Sequence, residues 1–475
     1  MKKKIKIFCL ILVFMLVSTG CVNRRYEYLE SRRSGKSTSS AKVKTSGDTF
    51  LPDDIDKFDV DSYLIWYKNL ENPPKLELPA SKIPKKLTDK EMVDDFNYVF
   101  NELKENYPFF EVLKRENNID FIGNYDKYLK RIKEAKNDQE FIDEMTGILG
   151  ELNNHHARIA DSNYVENTLK YYSKNWNSPS IYYEFLKLNK QVVRNRYGLK
   201  GEQTHTDTSI NHRSSGSILK QNQSANMTLD TSNDGIAILK IKQMVDPQSV
   251  KEDEAVLNDF LENKHLYKSL VIDIRQNYGG NVDYWQKFLL PKILPKQASV
   301  TNHLFFKDSS RAKLILADDT LNVESLKNVD ISAIKLDFAS DIKDFDYYIR
   351  DTININPDES EKYNGFEGKI YLLVDRGVFS AAEGLASFMK HSDAATLVGE
   401  KTGGDGITLG IINDVMPNSG LVFTYTNTLG YAPDGSINAE EKTEVDIKSK
   451  SYKNSIDTIE EVGTGNFWLN YLFKY

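Results

Sequence analysis

Short apolar runs separated by stretches of helical periodicity constrain this chain more than any other feature. Ile236-Ala237-Ile238-Leu239-Lys240-Ile241, Leu270-Val271-Ile272-Asp273-Ile274 and Ile370-Tyr371-Leu372-Leu373-Val374 read as strands, and a helical stretch follows the last of them over 381–390. Apolar strands alternating with helices predict a mostly parallel sheet covered on both faces. The expected fold class is therefore α/β. At 475 residues the chain has room for two or three domains of about 150 residues each.

The part before these strands reads as helical. Thr88-Asp89-Lys90-Glu91 fits a capping box, in which hydroxyl and carboxylate each satisfy an orphan amide. Met92, Phe96, Val99, Phe100, Leu103 and Tyr107 then recur at helical spacing, and Pro108 ends the pattern. A second helix is predicted over 125–135. A third starts from the cap Asn137, with the stripe Phe141, Met145, Ile148, Leu149 and Leu152. Ser178-Pro179 opens another that Gly198 stops, with proline at the first helical position. These stripes are core. Residues 200–232 are polar, aperiodic and rich in turn formers, which suits a long loop, an insert or a domain boundary.

Composition removes several classes of function. The formal net charge is −7 and no basic block occurs, which argues against a nucleic-acid partner. Neither a P-loop nor a dinucleotide fingerprint is present, so no nucleotide cofactor is expected. The seven histidines are scattered apart from His155 and His156, and neighbouring side chains diverge, so no metal site is expected. The two cysteines, Cys9 and Cys21, lie too near the start to staple the body.

That start reads as an address. Lys2, Lys3, Lys4 and Lys6 precede an apolar run over 7–17, too short to cross a bilayer, which takes about 20 residues. Ser18-Thr19-Gly20-Cys21 follows and resembles a bacterial lipobox. The resemblance implies cleavage before Cys21, lipidation of its sulfur and export, leaving the protein anchored in the cell membrane and facing outside the cytoplasm. Small residues here would also suit an ordinary secretory signal. Residues 23–50 are rich in Ser, Lys, Arg and Gly and bury too little to fold. They form a tether with a reach of about 30 Å.

Four segments carry chemistry. Ser380 follows the strand ending at Val374 and a turn containing Gly377, and it stands at the mouth of the next helix. Ligands collect beyond the carboxyl ends of strands in open α/β sheets, and a helix N-terminus offers unpaired amides to an oxyanion. Ser380 is therefore either a nucleophile or an ordinary N-cap. Gly279-Gly280 closes an earlier strand in the same way, as a tight turn or as a source of oxyanion amides beside that of Ala381. His156, in Leu152-Asn153-Asn154-His155-His156-Ala157, emerges beyond the third helix as a base or as a partner of the helix dipole. The fourth segment is Val398-Gly399-Glu400-Lys401-Thr402-Gly403-Gly404-Asp405-Gly406.

Together these segments resemble the tail-specific, or C-terminal processing, serine peptidase family. The likeness covers roughly 88–159 and 233–447. It implies a ClpP/crotonase-like βαβ superhelix with a helical N-terminal domain, and a peptide or protein substrate. One branch of the family uses a Ser-Lys dyad, but Asp405 stands where that lysine belongs. The chain is closer to the tricorn-core branch, which implies Ser380 as nucleophile, His156 as general base, and amides of Gly279 or Gly280 and of Ala381 for the oxyanion. The orienting carboxylate is expected at Glu440, although 438–447 lacks the Gly and Pro of the family's segment. The family's usual Asp-Gly-His-Thr is replaced around His156, and no serine stands beside it. A catalytically inactive relative serving as a surface binding module is the alternative reading. The expected organisation is a signal at 1–20, a tether at 21–50, a helical domain at 51–199 carrying His156, a polar insert at 200–232 and a catalytic domain at 233–475.

Overall fold

The computed structural model describes residues 52–57, 59–70, 76–203, 225–358, 364–449, 455–457 and 459. Cys9, Cys21 and the segments expected to form an export signal and a tether lie outside the described residues.

Helices α1 (Asp89–Asn106), α2 (Phe110–Asn117), α3 (Tyr125–Glu134) and α4 (Asp138–Gly150) form the N-terminal layer. The capping box forms at Thr88, whose hydroxyl accepts the Glu91 amide while the Glu91 carboxylate accepts that of Thr88. Asn137 caps α4, accepting the amides of Gln139 and Glu140. The predicted stripes are buried against one another. The long helix expected from Pro179 is broken in two, Pro179–Leu188 and Gln191–Tyr197, with Gly198 left-handed at its end. Asn189 ends the first piece, turning its amide back onto Phe185 O and taking Arg194 Nη1 on its Oδ1.

The central sheet has β1 (Met227–Asp230), β2 (Ile236–Ile241), β3 (Ser269–Asp273), β4 (Lys369–Val374), β5 (Thr396–Gly399) and β6 (Ile447–Lys448), side by side in chain order. β1 is antiparallel to β2, and every later pair is parallel. Helices α5 (Lys251–Asn263) and α6 (Ala381–His391) belong to the crossovers after β2 and β4. Alternation divides each strand between two cores. Ala237, Leu239, Leu270, Ile272, Leu372 and Val374 pack with Leu385, Phe388 and Trp285, whereas Ile238, Val271, Tyr371 and Leu373 pack with Val398, Ile456 and Ile459. Burial of both faces is why these strands are apolar almost throughout.

Two features differ from expectation. Residues 227–230, assigned to the polar connection, form the edge strand β1, because Met227 is buried and the Asp253 carboxylate accepts its amide. The N-terminal helices also share one core with later strands. Phe305, Tyr348, Phe423, Tyr425, Leu429 and Tyr431 pack among Phe96, Phe100, Tyr128 and Phe141. Most of these strand residues come from an antiparallel sheet, Leu429–Tyr431, Ala298–Phe306, Tyr347–Ile355 and Val323–Ser325. Among the described residues, no helix is long and apolar enough to cross a membrane.

Candidate active site

Three turns, distant in the chain, converge beyond the carboxyl ends of β3, β4 and β5. The first carries Ser380, which has φ 56° and ψ −126°, a conformation costly for a residue with a side chain. Its hydroxyl makes no capping bond to α6. Instead Ser380 Oγ lies 3.0 Å from His156 Nε2. The Ser380 side chain therefore does not cap α6.

His156 is held on all sides. It follows α4 by a turn in which Asn154 Oδ1 accepts the His156 amide at 2.8 Å. The next residues, Arg158–Ile159, pair with the strand Val422–Tyr425, and Thr424 Oγ1 donates to the His156 carbonyl. The ring packs on Phe379, with centroids 4.6 Å apart, and the residue is 4% exposed. His155 is exposed and meets the same Phe379 ring edge-on, with centroids 5.3 Å apart.

On the far side of the ring stands Asp405. Its Oδ2 lies 2.7 Å from His156 Nδ1 and also accepts Asn154 Nδ2 at 2.8 Å. The loop carrying it is drawn in by backbone pairing, since Gly403 N donates to Val378 O and Ser380 N to Gly404 O. Glu440, expected in this position, is elsewhere. Arg115 grips it with Nε on Oε1 at 3.0 Å and Nη2 on Oε2 at 2.5 Å, and pairs with Asp341 as well. The short helix Asn438–Glu441 turns Asn438 towards the site and Glu440 away from it. The signal for Asp405 was in the sequence: it is the residue occupying the family's lysine position.

The glycine turn abuts the serine. A side chain at Gly279 would lie 2.8 Å from both Ala381 N and Ser380 Cβ. Asn277, fully buried, accepts the Gly279 amide on Oδ1 at 2.9 Å and donates Nδ2 to Ile241 O. That amide is therefore occupied, a correction to its expected role. The turn is joined to Met244, which donates to Gly279 O and accepts from Asn281, leaving Gly280's own amide outside this pairing. The amide of Ala381, the first residue of α6, is among the opening amides of a helix, which have no intrahelical acceptor.

One neighbour carries a role that the sequence did not announce. Glu383, fully buried, accepts Thr443 Oγ1 at 2.6 Å and Asn438 Nδ2 at 2.7 Å. Asn438 Oδ1 in turn accepts the Gly406 amide, and Thr402 Oγ1 accepts that of Thr443. Glu383 thus clamps the loop on either side of Asp405. Burial pushes its carboxyl up to about 7, against hydrogen bonds that pull it down. Among the described residues no group of His, Cys, Asp or Glu is arranged to hold a metal ion.

Residues 235–449 match the model of peptidase family S41. No curated protein matches the chain. Among solved structures, mature CPAF complexed with lactacystin is 14% identical over 79% of this chain and 98% of that one, with a TM-score of 0.50. Mature CPAF alone gives the same identity and TM-score over 79% and 96%. A lipoprotein from Streptococcus agalactiae is 14% identical over 84% and 99%, with a TM-score of 0.43. At such identities the likeness to CPAF is one of fold.

Proposed function

In a chain whose residues 235–449 form a peptidase family S41 domain, and which is thereby a serine-type peptidase, we propose that Ser380, His156 and Asp405 are the catalytic residues of an endopeptidase acting on proteins or peptides. One observation carries this reading: an unbroken line of contacts runs from Ser380 Oγ through both nitrogens of the His156 ring to Asp405. Ser380 attacks the scissile carbonyl while His156 Nε2 takes its proton and later passes it to the leaving amine. Asp405 keeps the proton on Nδ1 and stabilises the imidazolium that forms. Asn154, which bonds both the His156 amide and the Asp405 carboxylate, holds base and orienter in one frame.

The oxyanion falls to the amides of Gly280 and Ala381. A donor of this kind typically lowers the barrier by about 2.7–4 kcal/mol. The arrangement supports the Ser-His style of the tricorn-core branch over a Ser-Lys dyad. The basic, apolar and Ser18-Thr19-Gly20-Cys21 segments support export and lipid anchoring through Cys21, with the catalytic body outside the cytoplasm. Hydrolysis of a denatured protein substrate by the purified chain tests the assignment. The wild type is expected to cleave it and Ser380→Ala to leave it intact; equal cleavage by both removes Ser380 from the mechanism. Peptide binding without cleavage by the wild type favours the binding module instead.

A further inference from the structure

A cavity of about 190 Å³ opens between α6 and the antiparallel sheet, walled by Trp285, Leu304, Ile353, Phe388 and Ile407. It has the size for one amino-acid side chain, being smaller than the ~300–1,000 Å³ of sites for whole small molecules. Its wall is continuous with the backbone around Ser380. Gly384 lies about one helical turn after Ser380, and Gly406 directly follows Asp405. A side chain at Gly406 would come within 2.7 Å of Ser380 O and 2.3 Å of Gly384 N, so these segments touch without intervening atoms.

Gln286, Ser387 and Thr408 also line the cavity, and two further polar residues face each other in its wall. Asp351 stands opposite Asn302 across paired strands, and Asn302 Nδ2 reaches Asp351 Oδ2 at 3.3 Å. Asn302 is 4% exposed, yet its Oδ1 has no hydrogen-bond partner. Among the described residues no lysine or arginine pairs with Asp351, and burial raises its pKa against the single bond from Asn302. An unpaired acceptor and a carboxylate lacking a cation share one narrow space. Both are costly in the empty protein, and both are relieved by the same guest.

We propose that this cavity receives a lysine or arginine side chain of the substrate, its methylenes lying along Trp285, Ile353 and Phe388 and its charge meeting Asp351 and Asn302. The inference rests on the peptidase reading of Ser380, since it makes Asp351 a specificity determinant of that reaction. It is tested without turnover, on Ser380→Ala protein, by fluorescence anisotropy with fluorescein-labelled nine-residue alanine peptides. Each position in turn carries Lys, Arg, norleucine or Glu. At one position Lys and Arg are expected to bind about tenfold or more tighter than norleucine. Adding Asp351→Asn should abolish that gap. Equal affinity for Lys and norleucine at every position, total absence of binding included, overturns the proposal, as does a preference that survives Asp351→Asn. Phosphonate labelling of Ser380 in the wild type is read separately, so failure of the peptidase reading is distinguishable from failure of the pocket.

Discussion

Ser380 is held at a positive φ by its neighbours rather than by its own preference. Its amide is tied to Gly404 O and its carbonyl accepts Gly384 N, so the hydroxyl is aimed at His156 instead of back into α6. Asp405 does for the imidazole what these bonds do for the serine. Replacing it with asparagine keeps the shape but lets the ring take the wrong tautomer, and in a triad that costs roughly 10⁴ in kcat. Asp405→Asn should therefore fold with an unchanged melting curve and lose nearly all hydrolysis; retention of more than a tenth of the wild-type rate contradicts the assignment. Glu383 gives a second prediction at this scale. Its carboxyl moves from an ordinary 4.5 to about 7 through burial, so the folded protein holds this proton more tightly than the unfolded chain does. The associated stability is fully present below about pH 4.5 and is lost as pH rises through 7, amounting to about 3 kcal/mol. Urea unfolding at pH 5 and pH 8 should show wild type losing stability relative to Glu383→Gln. An identical pH dependence in both proteins contradicts the account.

The elements that carry the site were legible to different degrees, for physical reasons. β2, β3 and β4 are buried on both faces and announce themselves as apolar runs, and α1 and α4 carry caps at Thr88 and Asn137. Ser380, His156 and the glycine turn were legible because each follows such an element at a recognisable distance. Asp405 was not chosen, because its place beside His156 depends on a glycine loop pulled in by pairing with Val378 and Ser380. Glu440 was expected from a resemblance to the family's acidic segment, and that resemblance does not reveal an arginine 325 residues away in sequence. The antiparallel strands escaped notice because they mix polar with apolar residues. They are nevertheless tied into the helices by a buried charge network, in which Asp414 on the strand Ile412–Val415 meets Arg311 and Lys187. Burial alone would raise its pKa, and the two cations hold it well below the ordinary carboxylate range. Asp414→Asn leaves both cations buried without their partner and should cost about 3–5 kcal/mol. A thermal melt reads this as a large fall in Tm, and a melting curve matching wild type would show the network to be dispensable.

At the scale of the whole molecule, the helical layer and the sheet layer are one folded unit with a shared core, not a module with a detachable accessory. His156 comes from the first layer and Ser380 and Asp405 from the second, so the site exists only where the two are packed. Ahead of this body lies the segment proposed to anchor it. Cys21→Ser should move the protein from the membrane fraction to the soluble extracytoplasmic fraction of a bacterial host without altering hydrolysis by the purified body; unchanged membrane retention contradicts lipidation at Cys21. The most direct measurement of the central claim is mass spectrometry of the protein after reaction with a fluorophosphonate at neutral pH. The account predicts one adduct, on the peptide containing Ser380, formed far more slowly in His156→Ala. An unmodified Ser380, or an adduct formed equally fast without the imidazole, would contradict it.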